Sequence, residues 1–448
     1  MNTTDLFIDS LFAISKAPPS DAVSLQAKKC LLDYLGVTLA GARMLEQKSK
    51  ELLNLLNNSQ SECTVLGLNR KSGVQSAVLI NGINSHVAEL DDGQRFGMLH
   101  PGAVVISTLL PLAQREKISG ATLLQGIVTG YQAAVKVATA VQPAHKMAGF
   151  HATGTCGALG AAIGVAAMLG FPQNQMKDTL SAAATSASGI LKMTRDSSEL
   201  KPYNAGQAAL NGLVAALTAR AGFKGPDDVL AGEKGFLEIM APGTKGDRPE
   251  LGAGEALEIE DVYFKPYAAC RHCHPAIEAV LALRSKHKLA LENIKAVKVF
   301  TYHLGVEGHD HTRIPNVASA KMSTPFSVAA ALATGSAGLD AFTPETVVNA
   351  DIVSVTRKIT IISDDQLSAL VPHKRPAIVE VTTHNDKVLR EKVFLAKGEP
   401  ENPMTQDELE QKFASLASFS GMKVSDIDSI IHCVWDIENC LDELFTCL

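Results

Sequence analysis

The chain is poor in aromatic residues, which make up 5% of its 448 positions, with a single Trp. A core of this size must then be closed by small and aliphatic side chains, which points to helices packed tightly against one another. An excess of positive charge is also missing. Lys and Arg number 41 against 47 Asp and Glu, for a net charge of −6. No basic tail or patch appears, so nucleic acid is not an expected partner. A small anionic substrate would have to be met by local cations, because the overall field does not attract it. Long apolar runs are lacking too. Segments such as "GALGAAIGVAAMLG" (157–170) are Gly/Ala-rich and too short to read as a membrane span. The eight cysteines, Cys30, Cys63, Cys156, Cys270, Cys273, Cys433, Cys440 and Cys447, follow no disulfide-framework spacing. The opening "MNTTDLFIDSLFAISKAPPS" has no basic region and carries Asp5 and Asp9, unlike a secretory signal. Free thiols and a cytoplasmic location are therefore expected.

What is present, to about residue 250, is a succession of helical patterns. "SLQAKKCLLDYLGVTLAGA" (24–42) spaces its apolar residues helically and ends near Gly41, a candidate C-cap. "SAVLINGINSHVAEL" (76–90), "ATLLQGIVTGYQAAVKVATAV" (121–141) and "MKDTLSAAATSASGI" (176–190) continue the series, and "NAGQAALNGLVAALTARAG" (204–222) ends on Gly222. After about residue 260 the pattern changes. "IKAVKVFTYH" (294–303), "RKITIISDD" (357–365) and "AIVEVTTHND" (377–386) are rich in β-branched residues and read as strands. Helical runs lie between them, and the tail, "TQDELEQKFASLASF" (405–419) and "SDIDSIIHCVWDIENC" (425–440), is helical again. The expected fold is mainly α: a helical domain of residues 1–264 and 396–448, and an inserted α+β domain of residues 265–395.

Four stretches carry chemistry. In "KPYAACRHCHPAIEA" (265–279), Cys270 and Cys273 form one C-x2-C, but no second half-site matches it. His309 and His311 sit in the loop-like "GHDHTRIP" (308–315) at a spacing that fits no zinc module, so no metal is assigned. An anion site is the alternative. Pro275 suits the first position of a helix, with His274 as N-cap, His272 just ahead and the Arg271 fork matched to a carboxylate. Ordinary surface and capping roles would also account for these residues. In "HVAELDDGQRFGMLHPGA" (86–103), Glu89, Asp91, Asp92, Arg95 and His100 crowd a turn-rich loop. Carboxylates beside an imidazole can orient it and tune it for proton transfer, although Asp-Asp-Gly serves equally well as a plain turn. "HKMAGFHATGTCGALGAA" (145–162) lacks the residues of a phosphate loop. Its His151 precedes a helix, with Thr153 and Thr155 as candidate caps. Lys201, ahead of Pro202 in "ELKPYNAGQAA" (199–209), can hold a carboxylate, act as a base if its proton affinity is lowered, or simply be solvated. His100, His151, Lys201 and His274 thus each fall at a helix start. If those starts meet in one cleft between bundle and insert, they form a positive cradle for a polycarboxylate.

In this order "ELDDGQRFGMLHPG", "GFHATGTCGALGAA", "ELKPYNAGQAA", "KPYAACRHCHPAIEA" and "AKMSTPFSVAAALATG" resemble the MmgE/PrpD family over nearly the whole chain. That family includes 2-methylcitrate dehydratase, cis-aconitate decarboxylase and iminodisuccinate epimerase. The resemblance implies a homodimer of two-domain subunits, with the α+β insert acting as a lid. It also implies an enzyme without metal or organic cofactor, moving a proton next to a carboxylate of a small di- or tricarboxylic acid. By motif match the catalytic positions fall on Asp91, Asp92, His100, His151, Lys201 and His274. Substrate binding falls on Arg95, Lys265, Tyr267, Arg271, His272 and Ser327. Cys270 aligns with a His of the decarboxylase branch and Ser327 with a Tyr, which favours a dehydratase-like hydro-lyase first and an epimerase second. Decarboxylation and a non-catalytic carboxylate binder are the remaining alternatives.

Overall fold

The computed structural model describes residues 2–56, 60–194, 198–244, 251–252 and 256–448, so 245–250 of the expected helical stretch lies outside the described residues. The protein is mainly α and divides into two compact units. One comprises Met1–Arg195, Glu199–Val262 and Thr405–Leu448, the other Asp196–Ser198 and Tyr263–Met404.

The first unit is a helical bundle. Its long helices are α1 (Asp21–Met44), α2 (Val74–Val87), α3 (Pro101–Glu116), α4 (Gly120–Val141), α5 (Ala152–Met168) and α6 (Leu200–Arg220). Helix α5 is the axis of the bundle. Every residue from Ala152 to Met168 is buried, and the helix packs against α3, α4 and α6. A helix enclosed on all sides has to be apolar all round, which accounts for the Gly/Ala run. Its glycines let backbones touch: a Cβ on Gly160 would lie 2.6 Å from the Gly130 carbonyl oxygen, and one on Gly164 3.0 Å from that of Gly126. Among the described residues no helix is long and apolar enough to cross a membrane.

Gly41 does not cap α1, which runs on to Met44. It is a contact point instead, where a Cβ would stand 1.8 Å from the Asn84 carbonyl oxygen of α2. Gly222 does end its helix, at φ 98° just beyond the Ala221 C-cap of α6.

The second unit is α+β. Helix α7 (His274–His287) is followed by β1 (Ile294–Thr301), α8 (Thr324–Thr334), β2 (Ile359–Ser363), β3 (Ala377–Thr383) and β4 (Val388–Val393). The strands form one sheet in the order β2-β1-β3-β4. β1 runs parallel to β2, with Val297 opposite Ile359, and antiparallel to β3, with Val299 opposite Val379. Val297, Val299, Val379 and Val381 make the buried face, and α7 covers β3 and β4. The sequence pattern predicts only three of these strands. β4 escapes it because "VLREKV" is an edge strand, in which the charged Arg390, Glu391 and Lys392 follow its one buried residue, Leu389.

The chain then returns to the first unit as α9 (Gln406–Phe419), which packs against α1. A capping box starts it: the Glu408 N–H donates to Thr405 Oγ1 at 3.2 Å and the Thr405 N–H to Glu408 Oε2 at 2.7 Å. From α9, Lys412 Nζ reaches Asp33 Oδ1 at 2.5 Å and the Leu90 carbonyl at 2.7 Å. That carbonyl belongs to the loop between α2 and α3, where the clustered acids lie.

Replacing Gly41 with Ala is expected to destabilise the protein by about 3 kcal/mol or more, because backbone rather than a movable side chain blocks the methyl group. Urea denaturation measures this, and an unshifted midpoint would contradict the packing.

Candidate active site

Four helix ends of the first unit surround a group of histidines. His100 is the N-cap of α3 and His151 the N-cap of α5. His86 lies in the last turn of α2, and Lys201 in the first turn of α6. The starts of α3 and α5 are joined directly: the His100 N–H donates to Thr153 Oγ1 at 3.1 Å. Thr153 is therefore a tie between helices rather than a cap. Thr155 is no cap either; its hydroxyl sits 2.8 Å from His145 Nε2 and 3.2 Å from the His151 carbonyl.

Asp91 and Asp92 play different parts. Asp91 Oδ2 accepts from His86 Nδ1 at 2.6 Å and lies 3.4 Å from His100 Nδ1. His100 Nδ1 itself bonds the Asp92 backbone carbonyl at 2.6 Å. A carbonyl can only accept, so Nδ1 carries the proton and the His100 lone pair is on Nε2. The Asp92 carboxyl faces away from the imidazoles, accepting from Tyr131 Oη at 2.7 Å and the Gly102 N–H at 3.1 Å. Burial and the nearby Asp33 charge push Asp92 up to about 8. It is therefore largely protonated at neutral pH and anchors the loop rather than supplying charge.

His151 is oriented most firmly. Its Nδ1 bonds Asn204 Oδ1 at 2.8 Å, and the Asn204 amide is oriented by the Ser188 carbonyl at 3.3 Å. Nδ1–H is the donor, which leaves Nε2 with a lone pair and no hydrogen bond among the described residues. Burial comes first, and with the nearby His86 and the Lys201 charge it pushes His151 down to about 3 despite the opposing Asn204 bond. The His86 ring lies 5.0 Å from that of His100 and 6.1 Å from that of His151. His86 is fully buried, and its Nε2 has no hydrogen-bond partner among the described residues.

Lys201 pairs with Glu89, which holds a left-handed φ of 56° just after α2. Such a backbone is unfavourable for Glu, and strain of this kind gathers at working sites. Arg95 is buried, with its guanidinium carbon 5.0 Å from the Phe96 ring centroid. The ligand atoms of His86, Asp91 and His100 lie within 4.8 Å of one another, close enough for a divalent ion. Asp91 Oδ2 is already bonded to His86 Nδ1 at 2.6 Å, a contact that an ion held between those two atoms would have to break.

The other expected site residues belong to the second unit. His274 is the first residue of α7 rather than its cap, which is Cys273, and Pro275 is the second. His274 is fully buried, donates from Nε2 to the Ala269 carbonyl at 3.0 Å and meets Tyr267 edge-on at 5.2 Å. Burial raises the Tyr267 phenol above its ordinary range. Arg271 pairs with Glu399 and lies 5.3 Å from the Tyr263 ring centroid. His272 Nδ1 bonds Tyr302 Oη at 2.6 Å. Lys265 and Ser327 are fully buried, and the Ser327 hydroxyl donates to the Ser323 carbonyl at 2.8 Å. Sequence reasoning missed His86, Asn204 and Lys412. Only His86 left a trace, as a polar residue closing an apolar helix five positions before Asp91.

The MmgE/PrpD N-terminal domain matches residues 12–248, and the MmgE/PrpD C-terminal domain matches residues 267–437. The chain belongs to the MmgE/PrpD family. It is similar to a cis-aconitate decarboxylase-like protein of Aspergillus oryzae, 26% identical over 90% of this chain and 89% of that one. The cis-aconitate decarboxylases of Homo sapiens and Mus musculus are 23% and 22% identical, each over 98% of this chain and 92% of theirs. Within this MmgE/PrpD chain, the acid-rich loop and the histidines are built by the segment that matches the N-terminal domain, while Lys412 lies in the segment that matches the C-terminal domain.

The His151 assignment has a pH signature. Its folded-state value of about 3 lies below the ordinary 6.5. The unfolded chain therefore binds this proton first, and folding stability falls as the pH drops from about 6.5 towards about 3. NMR of ring-labelled histidine should show His151 neutral and Nδ1-protonated at pH 5. An imidazolium midpoint near 6.5 would contradict the assignment.

Proposed function

We propose that the protein is a lyase that removes a proton next to a carboxylate of a small di- or tricarboxylic acid and then expels water, as a 2-methylcitrate-type hydro-lyase. The observation that carries this reading is the neutral imidazole of His151, fixed by Asn204 with a lone pair on Nε2. An imidazole held neutral in this way has a lone pair available to accept a proton at neutral pH.

In the proposed step His151 Nε2 takes the proton from the carbon, and the electron pair of that bond moves into the adjoining carboxylate. The charge that develops is met by Lys201 and by the N-termini of α3, α5 and α6. The pair then forms the C=C bond as the C–O bond on the neighbouring carbon breaks. His100, protonated on both nitrogens, gives the departing hydroxyl its proton. The Asp91 carboxylate, 3.4 Å from His100 Nδ1, stabilises that imidazolium. His86 is a positioning residue that holds Asp91 at the distance His100 needs.

A second reading, loss of CO2 from cis-aconitate, is favoured by the names of the relatives at 22–26% identity. That reaction leaves a carbanion that must be protonated. The same histidines can serve it, with His100 as the donor.

Incubation in D2O with citrate, 2-methylcitrate, cis-aconitate and iminodisuccinate, followed by NMR, tests the reading. An unsaturated acid formed from 2-methylcitrate or citrate supports dehydration. CO2 loss from cis-aconitate supports the second reading, and stereoinversion with deuterium uptake supports epimerisation. Neither turnover nor exchange with any of the four would overturn the proposal. His151→Ala should fold normally and lose at least about a hundredfold in turnover, and unchanged activity would remove His151 from the mechanism.

A further inference from the structure

The second unit contains a side-chain cluster that the proposed reaction does not use. Ligand atoms of Cys270, His272 and His309 lie within 4.8 Å of one another, and Cys270 Sγ is 3.9 Å from His309 Nε2. The sequence conceals this set, because Cys270 pairs by spacing with Cys273, whereas His309 lies 39 residues away from its partner thiol.

Each member is held by its surroundings. The His309 ring donates from Nδ1 to the Met322 carbonyl at 2.8 Å, which puts its lone pair on Nε2, the nitrogen that faces Cys270. The Thr324 N–H donates to the His309 carbonyl at 2.8 Å, so the residue is tied on both sides to the segment leading into α8. The Cys270 N–H donates to the Lys321 carbonyl at 2.8 Å, fixing the thiol against the same segment. Tyr302 Oη holds His272 through Nδ1 at 2.6 Å, and the His272 and His309 rings lie 5.0 Å apart. All three side chains are half-buried, sheltered yet reachable from solvent. A metal-binding imidazole is commonly oriented by a backbone carbonyl on its other nitrogen, which is the bond His309 makes.

We propose that Cys270, His272 and His309 form a binding site for a divalent transition metal of the zinc class. One thiolate and two imidazoles are the donors preferred by Zn2+ and Co2+ in tetrahedral sites, with the fourth position open to water or an anion. Tetrahedral bonds place S and N about 3.6 Å apart and two N atoms about 3.3 Å apart, so side-chain rotations of about an ångström close the set. Binding replaces the Cys270 thiol proton, which leaves to solvent. None of the three ligands is an acid or a base of the step proposed above, so metal binding can be read independently of turnover.

Titrating the full-length, metal-free protein with Co2+ and following absorption tests this. One equivalent should produce a thiolate-to-cobalt charge-transfer band in the near ultraviolet and tetrahedral bands in the visible. Zn2+ should abolish both. Cys270→Ser should remove the charge-transfer band, and His309→Ala should weaken binding by at least about tenfold. His100→Ala and Cys440→Ala should leave the spectrum unchanged, since His86–Asp91–His100, His432–Asp436–Cys440 and Cys433–Cys440–Glu443 are the competing sets among the described residues and Cys440 is shared by the last two. Absence of the band in the unaltered protein, or its persistence in Cys270→Ser, would overturn the proposal whether or not any variant misfolds.

Discussion

The site depends on where one carboxylate is held. Asp91 Oδ2 is shared by two imidazoles, at 2.6 Å from His86 and 3.4 Å from His100. A buried charge is tolerable only when it is matched so closely. If Asp91 moved by an ångström, His86 would lose its partner and His100 its stabilising charge. The protein therefore spends several distant parts on this loop. Lys412 holds the Leu90 carbonyl just before Asp91, and Tyr131 and the Gly102 N–H hold Asp92 just after it. Asp92 keeps its proton at neutral pH, which spares the loop a second buried negative charge beside the first.

The bundle serves the same end. The glycines of α4 and α5 bring backbones into contact, so α5 sits rigidly and the helix starts at His100 and His151 are fixed by packing rather than by loops. Asn204 then sets the tautomer of His151 from a third helix, α6. Pre-organisation of this kind is what a proton transfer between side chains and a bound acid needs, because the groups must not reorganise while charge develops.

Much of this was legible in the sequence, for physical reasons. His100 and Lys201 stand beside Pro, and His151 two residues after Gly149, at helix starts where local turn chemistry announces itself, and Asp91 and Asp92 sit in an obvious turn. Their partners carry no such signal. Asn204 meets His151 across 53 residues and Lys412 meets Leu90 across 322, and spacing along the chain cannot reveal contacts made only by folding. The errors are equally instructive. Gly41 looked like a helix end because a glycine near the end of an apolar run fits both a cap and a close helix contact, and only the position of α2 separates the two. β4 was hidden by the charges that protect an edge strand. The partner that holds Arg271, a fork matched to a carboxylate, is likewise invisible to spacing, because Glu399 lies 128 residues on.

The most direct test of the central claim is the steady-state behaviour of Asp91→Asn with whichever carboxylic acid the protein turns over. Asn keeps the size and an oxygen acceptor for His86 but removes the charge that supports the His100 imidazolium. The account predicts that kcat falls by about a hundredfold or more while KM changes little and the folded state survives. A variant with undiminished kcat would show that the Asp91 charge is not what makes His100 an acid, and the arrangement described here would then lack its organising interaction.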